Sequence, residues 1–306
     1  MRALLVVNPK ATTTTPRSRE VLARALASEL KVEIEETSHR GHAAALAVRA
    51  AREGMDMVVA LGGDGTVNEV VNGLLTDGPR PGIPALAVVP GGSTNVFVRA
   101  IGLPPHPFDA TGVILEALRA GRTRRIGLGL AGDRYFTFNA GFGFDADVVR
   151  RIERRRRAGE ETSHARFVRA ALAQFFTSSR RHPGVTYERP GHDPVDGIHF
   201  ALVTNTAPWT YLGDRPVQPS PEASFETGLD LFAPRSMRTV TTLRYLRRAL
   251  LSKPPLRHRR LLRVHDVADF TLRAERPTNL QVDGDWIGER DSVRFRSVPD
   301  VLPVVV

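Results

Sequence analysis

Two short apolar runs in the first third of the chain each end in adjacent glycines. The run at 55–61 leads into Gly-Gly-Asp-Gly at 62–65 and then into a helical pattern over 67–75. The run at 84–89 leads into Pro-Gly-Gly at 90–92. Glycine allows a sharp turn at a strand end and lets the backbone approach a neighbour or a ligand closely. Buried strands that alternate with helices in this way are typical of a parallel α/β sheet.

The same alternation extends back to the N-terminus. The apolar patterning predicts strands over 3–7 and 32–36 and helices over 17–30 and 43–52. The carboxyl ends of parallel strands share one edge of a sheet, and open α/β sheets bind ligands at that edge. We therefore expect the turns that follow these strands to lie near one another.

The second half of the chain predicts a domain rich in antiparallel strands. Short apolar segments separated by Gly, Pro and Asp predict strands over 134–139, 199–205, 229–233, 270–274, 279–282 and 293–295. Two helical segments, near 164–178 and 237–251, interrupt them. A charged, glycine-rich segment at 121–132 indicates the boundary between an α/β N-terminal domain and this β-rich domain.

Composition excludes several classes of protein and site. The chain has 306 residues, of which 42% are hydrophobic and 25% charged, as in a globular protein. It has no cysteine, which excludes disulfides, thiolate zinc sites and a cysteine nucleophile. Neither H-E-x-x-H nor G-x-S-x-G occurs, which argues against a zinc site and a serine hydrolase. The apolar stretches are too short for a membrane span or a signal peptide, so we expect a cytoplasmic protein.

The net charge of +10 favours a polyanionic partner. Aromatic residues make up 7% of the chain and do not alternate with basic ones, which argues against nucleic acid. Arginines concentrate at 150–157, ahead of apolar pairs over 167–176, and again at 244–263. The first cluster fits either a helix that docks on anionic lipid or a helix packed on the β-rich domain. The second cluster, at 244–263, fits either a lipid-facing surface or an ordinary solvated surface.

Polar groups after the strands predict a phosphate-binding floor. A helix that opens at a glycine turn offers backbone N–H groups and the positive end of its dipole to phosphate. Asp64 can organise magnesium or a substrate hydroxyl, although a plain capped turn is the alternative. The other strand ends supply hydroxyl, amide and lysine groups at Asn8, Lys10, Thr12, Thr37, Ser93 and Asn95. The pattern is neither a P-loop nor a dinucleotide fingerprint.

Two motifs carry a family resemblance. Gly-Gly-Asp-Gly-Thr-x-Asn-Glu at 62–69 and Pro-x-Gly-Ser-x-Asn at 90–95 resemble the diacylglycerol kinase catalytic family of lipid kinases. Further segments similar to the family follow in its order along nearly the whole chain. They are Asn8-Pro9, Thr37, 139–146, 221–224 with 228–230, and Asp-Gly-Asp at 283–285.

The resemblance implies a two-domain kinase with its active site in the interdomain cleft. It implies an ATP-binding domain over 1–127, completed by about 290–306, and a β-sandwich over 128–289 that holds the lipid. The nucleotide contacts that it implies are Asn8, Pro9, Lys10, Ala11, Thr12, Thr37, Gly62, Gly63, Asp64, Gly65, Thr66, Val67, Asn68, Glu69, Gly92, Ser93 and Asn95. The implied proton acceptor is Asp285. Asp283 and Asp64 would support it or hold the catalytic Mg²⁺.

Two positions depart from the family pattern. Asp285 stands in place of a glutamate and is one methylene shorter, so Asp283 is an alternative proton acceptor. Thr227 precedes Gly228 where bacterial relatives often have an aspartate that holds a structural magnesium. Threonine is a poorer ligand than a carboxylate for such a cation, so we expect that second metal to be absent.

The resulting expectation is an ATP- and Mg²⁺-dependent transferase of phospholipid biosynthesis. It would phosphorylate the primary hydroxyl of diacylglycerol to give phosphatidic acid. We expect peripheral association with the anionic inner face of the membrane and allow for a homodimer. The alternatives are a kinase of another lipid alcohol (a sphingoid base, ceramide or phosphatidylglycerol), an NAD kinase, and a non-catalytic module that binds nucleotide or lipid.

Overall fold

The computed structural model describes residues 1–157, 184–251 and 259–306 and has two compact units. The first unit contains Met1–Gly127 and Asp300–Val306, and the second contains Leu128–Pro299. The segment that returns to the first unit therefore begins at Asp300, whereas the family resemblance implied about residue 290. Within the described residues, no helix is long and apolar enough to cross a membrane.

The first unit is an α/β domain built on a parallel sheet. Its strands are β1 (Arg2–Val7), β2 (Lys31–Glu36), β3 (Met57–Gly62) and β4 (Ala85–Pro90), joined by the end of β16 (Asp285–Val305). Its helices are α1 (Pro16–Leu26), α2 (His42–Arg52), α3 (Asp64–Leu74), α4 (Val96–Ala100) and α5 (Pro107–Arg119). Both β1 and β3 are almost wholly apolar and buried, which explains their central positions.

The strand order in this unit is β2-β1-β3-β4-β16. The chain runs outward from β1 to β2 and then returns to the other side of β1 as β3, so the order reverses between β1 and β3. The carboxyl ends align in register, with Val7 opposite both Glu36 and Leu61, and Gly62 opposite Pro90. Open α/β sheets bind ligands at such a reversal, outside the carboxyl ends of the strands.

The second unit is rich in antiparallel strands. They are β5 (Thr123–Ala131), which begins in the first unit, β6 (Arg134–Phe136), β7 (Asn139–Gly143), β8 (Val185–Glu188), β9 (Val195–Ile198), β10 (Phe200–Thr204), β11 (Thr210–Leu212), β12 (Arg215–Val217), β13 (Leu229–Pro234), β14 (Leu261–Val267), β15 (Asp269–Val282) and most of β16. The main order is β14-β13-β10-β7-β15-β16. In the described part of this unit, two helices accompany them, α6 (Phe144–Arg157) and α7 (Thr239–Leu250).

The fold class agrees with the sequence prediction, and the differences lie in individual elements. Several short elements, among them β8, β9 and β14, were not predicted from the sequence. Helix α3 begins at Asp64, ahead of the predicted 67, because the glycine turn continues directly into the helix. Strand β5 occupies most of the segment predicted to hold the domain boundary at 121–132, and the two units divide within it, between Gly127 and Leu128. The segments predicted as two strands over 270–274 and 279–282 form the single strand β15. The helix predicted near 164–178 lies outside the described residues.

Candidate active site

The turns after β1, β3 and β4 are joined through backbone atoms at the carboxyl edge of the first unit's sheet. The N–H of Asn8 donates to the carbonyl of Leu61 at 2.9 Å, and the N–H of Gly91 donates to that of Gly62 at 2.8 Å. The Asn8 Nδ2 also donates to Thr66 Oγ1 at 3.1 Å. The structure thus brings together the three predicted turns, with β1 and β3 flanking the order reversal.

This packing requires glycine at the second strand end. A Cβ on Gly91 would lie 2.9 Å from the Cα of Gly62 and 2.9 Å from the Cβ of Ala11. A Cβ on Gly92 would lie 2.9 Å from the Cα of Gly63. These separations are shorter than real Cβ contacts, and the opposing atoms are mostly backbone, which cannot swing away. The glycines therefore serve close backbone approach.

Helix α3 begins within this cluster and has eleven residues. Its N-cap is Gly63, and no side chain caps it. The first N–H groups of an α-helix lack intrahelical acceptors, and the helix dipole adds a partial positive charge there. Together with the strand reversal and the packed glycine turns, this helix start has the chemistry of a phosphate site.

The Asp64 carboxylate holds the neighbouring turn in place. One of its oxygens accepts the N–H of Val96, and the other accepts the N–H of Phe97, each at 3.1 Å. These two donors lie at the start of α4, so Asp64 joins the start of α3 to the turn at 93–95. Its observed contacts are those of a positioning residue, and the magnesium role stays a prediction.

Three residues of the 62–69 motif are engaged within the unit. Both oxygens of Glu69 accept backbone N–H groups at the start of α2, from Gly41 at 2.8 Å and from Ala43 at 3.2 Å. Val67 is 1% exposed and Asn68 is fully buried, where it accepts a hydrogen bond from Asn72. This differs from the expected nucleotide contacts, because the Val67 and Asn68 side chains are buried and the Glu69 carboxylate is bonded to the start of α2. We assign all three to the scaffold.

The other expected contacts are more accessible. Most are exposed or half-buried at the same edge, namely Asn8, Pro9, Lys10, Ala11, Thr12, Thr37, Gly63, Gly65, Gly92 and Ser93. Asn95 is buried and left-handed (φ 48°), and its amide exchanges hydrogen bonds with the backbone of Gly92. A groove of about 410 Å³ adjoins the ends of β1 and β2 and is lined partly by Val7, Ile34 and Glu36.

In the second unit, Asp283 is committed to the backbone around the start of β7. Its carboxylate accepts the N–H groups of Thr137, Phe138 and Asn139 at 2.7–3.1 Å, and the Thr137 hydroxyl at 2.9 Å. Asp283 is 4% exposed and left-handed, with φ 48°. A carboxylate has about four acceptor positions, so these donors saturate it. Asp283 is therefore unsuited to the alternative role of proton acceptor.

Asp285 stands two residues further along, at the start of β16, and is half-buried. The turn before it is fixed by Gln281, whose Oε1 accepts the N–H of Gly284 at 2.8 Å. The Trp286 indole donates to Asn279 Oδ1 at 2.7 Å, and the Arg150 guanidinium lies 5.1 Å from the centre of its ring. The Asp285 backbone is thus held on both sides.

A buried amide network supports this hairpin. Gln281 Nε2 donates to Asn139 Oδ1 at 2.8 Å and to Asp145 Oδ2 at 2.7 Å. Burial raises the pKa of Asp145 to about 6; the Gln281 hydrogen bond lowers it, and Asp147 raises it further. A Cβ on Gly141 would lie 2.0 Å from Asp145 Oδ2, so this strand position has to be glycine. Sequence reasoning missed Gln281, because it lies outside the Asp-Gly-Asp motif.

The segment around Thr227 holds a second cluster that sequence spacing did not reveal. The Thr227 hydroxyl donates to the carbonyl of Ser224 at 3.0 Å. Nearby, Glu222, Asp230 and His265 place potential ligand atoms within 4.8 Å of one another. Glu222 pairs with Arg263, and Asp230 pairs with His265. The other oxygen of Asp230, Oδ2, is buried and has no hydrogen-bond partner among the described residues. The expected absence of a second metal near Thr227 therefore stays a prediction.

The first arginine cluster lies only partly in the described region. Arg150 pairs with Glu289 at 2.6 Å and donates to Asn279 Oδ1 at 3.2 Å, so it is a structural residue of α6. The apolar pairs over 167–176 lie outside the described residues.

Comparison with known proteins places this geometry in context. Residues 2–131 match the family model described as diacylglycerol kinase catalytic domain. A probable YegS-like lipid kinase of Chromohalobacter salexigens is 38% identical over 136 residues, which are 44% of this chain and 42% of the relative. A diacylglycerol kinase of Staphylococcus saprophyticus is 38% identical over 100 residues, 33% of this chain and 30% of the relative. The matches thus span less than half of these curated relatives.

Solved structures share the fold over nearly the whole chain. A diacylglycerol kinase of Bacillus anthracis gives a TM-score of 0.73 at 19% identity, covering 99% of this chain and 96% of the other. An NAD kinase of Archaeoglobus fulgidus in complex with ATP gives a TM-score of 0.51 at 12% identity, covering 100% of this chain and 94% of the other. At these identities the likeness concerns the fold alone.

Proposed function

We propose that this chain, whose residues 2–131 belong to the diacylglycerol kinase catalytic-domain family, is an ATP-dependent kinase of a lipid alcohol. The observation that carries the proposal is the close glycine packing at the carboxyl ends of β3 and β4, beside the strand reversal. There, Gly91 and Gly92 pack against Gly62 and Gly63 at the start of an uncapped eleven-residue helix. Such a site suits the phosphates of a nucleotide.

The substrate that we propose is diacylglycerol, and the product is phosphatidic acid, for use in phospholipid biosynthesis. The family description and the names of the curated relatives support this choice. A sphingoid base, ceramide or phosphatidylglycerol offers the same hydroxyl chemistry and remains the alternative substrate. We propose that the lipid is presented at an anionic membrane surface on the cytoplasmic side. A homodimer stays a prediction.

The residues proposed to hold ATP are those at the accessible edge of the first unit. Backbone N–H groups at the start of α3 bind phosphate oxygens, and the exposed Lys10 ammonium adds a positive charge. Asp64 holds the turn that carries Ser93. Mg²⁺, when bound with the nucleotide, would neutralise charge on the β- and γ-phosphates.

The reaction is an in-line phosphoryl transfer. The lipid hydroxyl oxygen forms a bond to the γ-phosphorus, and the bond from that phosphorus to the bridging oxygen breaks, so that ADP leaves. We assign the hydroxyl proton to Asp285, because Asp283 is saturated with donors. Positioning and charge neutralisation supply most of the rate enhancement in this class of reaction. The interdomain cleft implied by the family resemblance stays a prediction.

A labelled-ATP assay tests this proposal most simply. The purified chain is incubated with ATP and Mg²⁺ and, in separate mixed micelles, with diacylglycerol, sphingosine, ceramide or phosphatidylglycerol; NAD is offered in solution. We expect label in diacylglycerol. Label in another lipid would support a lipid kinase with a substrate other than diacylglycerol. Label in NAD alone would show that the chain is an NAD kinase and not a lipid kinase. ATP binding without labelled product would favour the non-catalytic module.

A further inference from the structure

Helix α7 of the second unit exposes an apolar stripe. Val240 is 72% exposed, Leu243 is 58% exposed, and Leu251, at the end of the helix, is 51% exposed. These are three of the seven large apolar side chains that are exposed in the described part of the chain. Surface aliphatic residues are ordinary when scattered, but their concentration on one helix calls for an explanation.

The stripe also contains arginines. At about 100° per residue, positions 240, 243, 244, 247 and 251 fall on one side of the helix, and all five are exposed. Arg244 and Arg247 therefore project beside the aliphatic side chains. The opposite side packs on the unit, where Ala249 is buried and the Tyr245 ring meets the Phe232 ring edge-on, with 5.7 Å between the ring centres. The helix is thus anchored on one side and amphipathic on the other.

The sequence around α7 is strongly basic. Residues 231–265 contain ten lysines or arginines and no aspartate or glutamate, so this segment alone carries a charge equal to the net +10 of the whole chain. An acidic residue from elsewhere does reach it, because Glu222 pairs with Arg263. Arg244 and Arg247 lie on the exposed stripe itself. A surface of this charge complements an anionic one.

We propose that α7 docks the protein on an anionic lipid bilayer, with Val240, Leu243 and Leu251 inserted at the interface and Arg244 and Arg247 against the headgroups. This inference rests on the proposed function, since it supplies the surface through which the enzyme reaches a membrane-resident substrate. Helices that lie in the interface combine an apolar face with flanking basic residues in this way. Nucleic acid fits less well, because valine and leucine offer no ring for base stacking.

Vesicle sedimentation tests the inference. The full chain is mixed with sucrose-loaded vesicles of phosphatidylcholine, with and without phosphatidylglycerol, at low and high salt. The test variant is Leu243→Ser with Arg247→Gln. The control is Val21→Ser with Arg17→Gln, which removes one exposed aliphatic side chain and one arginine, also four residues apart, from α1.

We expect the wild type and the α1 control to bind phosphatidylglycerol vesicles and to release them in salt. We expect the α7 variant to bind at least about tenfold more weakly, since it loses one inserted leucine and one headgroup contact. Equal binding by the α7 variant, no binding by the wild type, or an α7-dependent affinity for RNA in place of vesicles would each overturn the proposal. Unchanged thermal unfolding midpoints confirm that the variants are folded.

A soluble substrate separates this inference from the proposed function. Phosphorylation of a short-chain, water-soluble diacylglycerol needs no membrane, so the α7 variant should retain wild-type turnover on it and lose turnover on vesicles. Docking through α7 without phosphorylation of any lipid would support the docking surface and contradict the proposed kinase activity. Phosphorylation of the soluble lipid without docking would support the kinase activity and contradict the docking surface.

Discussion

In the first unit, the turns after β1, β3 and β4 meet through backbone atoms, whereas in the second unit the turn before Asp285 is held by side chains. Glycines make the first arrangement, because Gly91 and Gly62 approach so closely that a Cβ between them would collide. Carboxylate and amide groups make the second, through Asp283 and Gln281. One region depends on the absence of side chains and the other on their hydrogen bonds.

This difference suits the ligand that we assign to each region. A phosphate chain is bound by backbone N–H groups, which a rigid, close-packed turn presents in fixed directions. A proton acceptor has to be a side chain, and its position depends on the residues that fix its backbone. Substitutions that add atoms should therefore disrupt the packing of the turns in the first region. Substitutions that remove charge should disrupt the hydrogen bonds that hold the turn in the second.

The largest effect on stability should come from Asp283→Asn. The asparagine amide would point hydrogens at backbone N–H donors that the carboxylate now satisfies. We expect a loss of about 3–5 kcal/mol in the free energy of unfolding, measured by chemical denaturation. Thr137→Val removes only the hydroxyl donor and should lose about 1 kcal/mol. Equal losses in the two variants would show that the carboxylate does not organise the hairpin.

Next in size is a pH-dependent effect at Asp145. Burial raises the pKa of its carboxyl to about 6 in the folded chain, so the folded state binds more protons than the unfolded state between its ordinary value of 3.8 and about 6. Stability from this group is therefore present at low pH and is lost as the pH rises through that window, by on the order of 3 kcal/mol. Asp145→Asn should remove this loss.

Denaturation across that pH range measures the effect. The exposed Asp133 provides a control, since Asp133→Asn should leave the pH dependence as in the wild type. A pH dependence that survives in Asp145→Asn would assign it to another group.

A smaller effect on stability should follow Gly91→Ala in the first unit. The added methyl group would collide with the backbone of Gly62, which should lower the free energy of unfolding by about 1–3 kcal/mol. ATP affinity, measured by calorimetry, should fall as the turns separate. Gly112→Ala adds the same methyl group in open space on α5 and should leave ATP affinity unchanged. Wild-type affinity in Gly91→Ala would show that close packing of the turns is not needed for binding.

The smallest effect should come from Glu69→Gln. The variant retains one acceptor for the N–H groups of Gly41 and Ala43 but loses the charge that favours the start of α2, so we expect a loss of about 0.5–1 kcal/mol. Thermal unfolding measures it, and ATP affinity should stay as in the wild type. A large drop in ATP affinity with little change in the thermal unfolding midpoint would show that Glu69 contacts the nucleotide.

The two regions also differ in how far sequence predicts them. The first could be found from local patterns, because each glycine turn directly follows its own apolar strand and parallel strands align their carboxyl ends. The second could not, because Asp283 meets Thr137 and Gln281 meets Asp145 across more than 130 residues of chain. Burial of Val67 and Asn68 was missed for a related reason, since a motif does not reveal which side of its helix faces the sheet.

We propose that the first unit binds the nucleotide and that Asp285 of the second unit accepts the proton. The most direct test is turnover of Asp285→Asn, measured with the ATP dissociation constant of the same variant. We expect an unchanged dissociation constant and turnover lower by about 10²–10⁴-fold, the usual contribution of a general base. Wild-type turnover in this variant would show that Asp285 is not the proton acceptor.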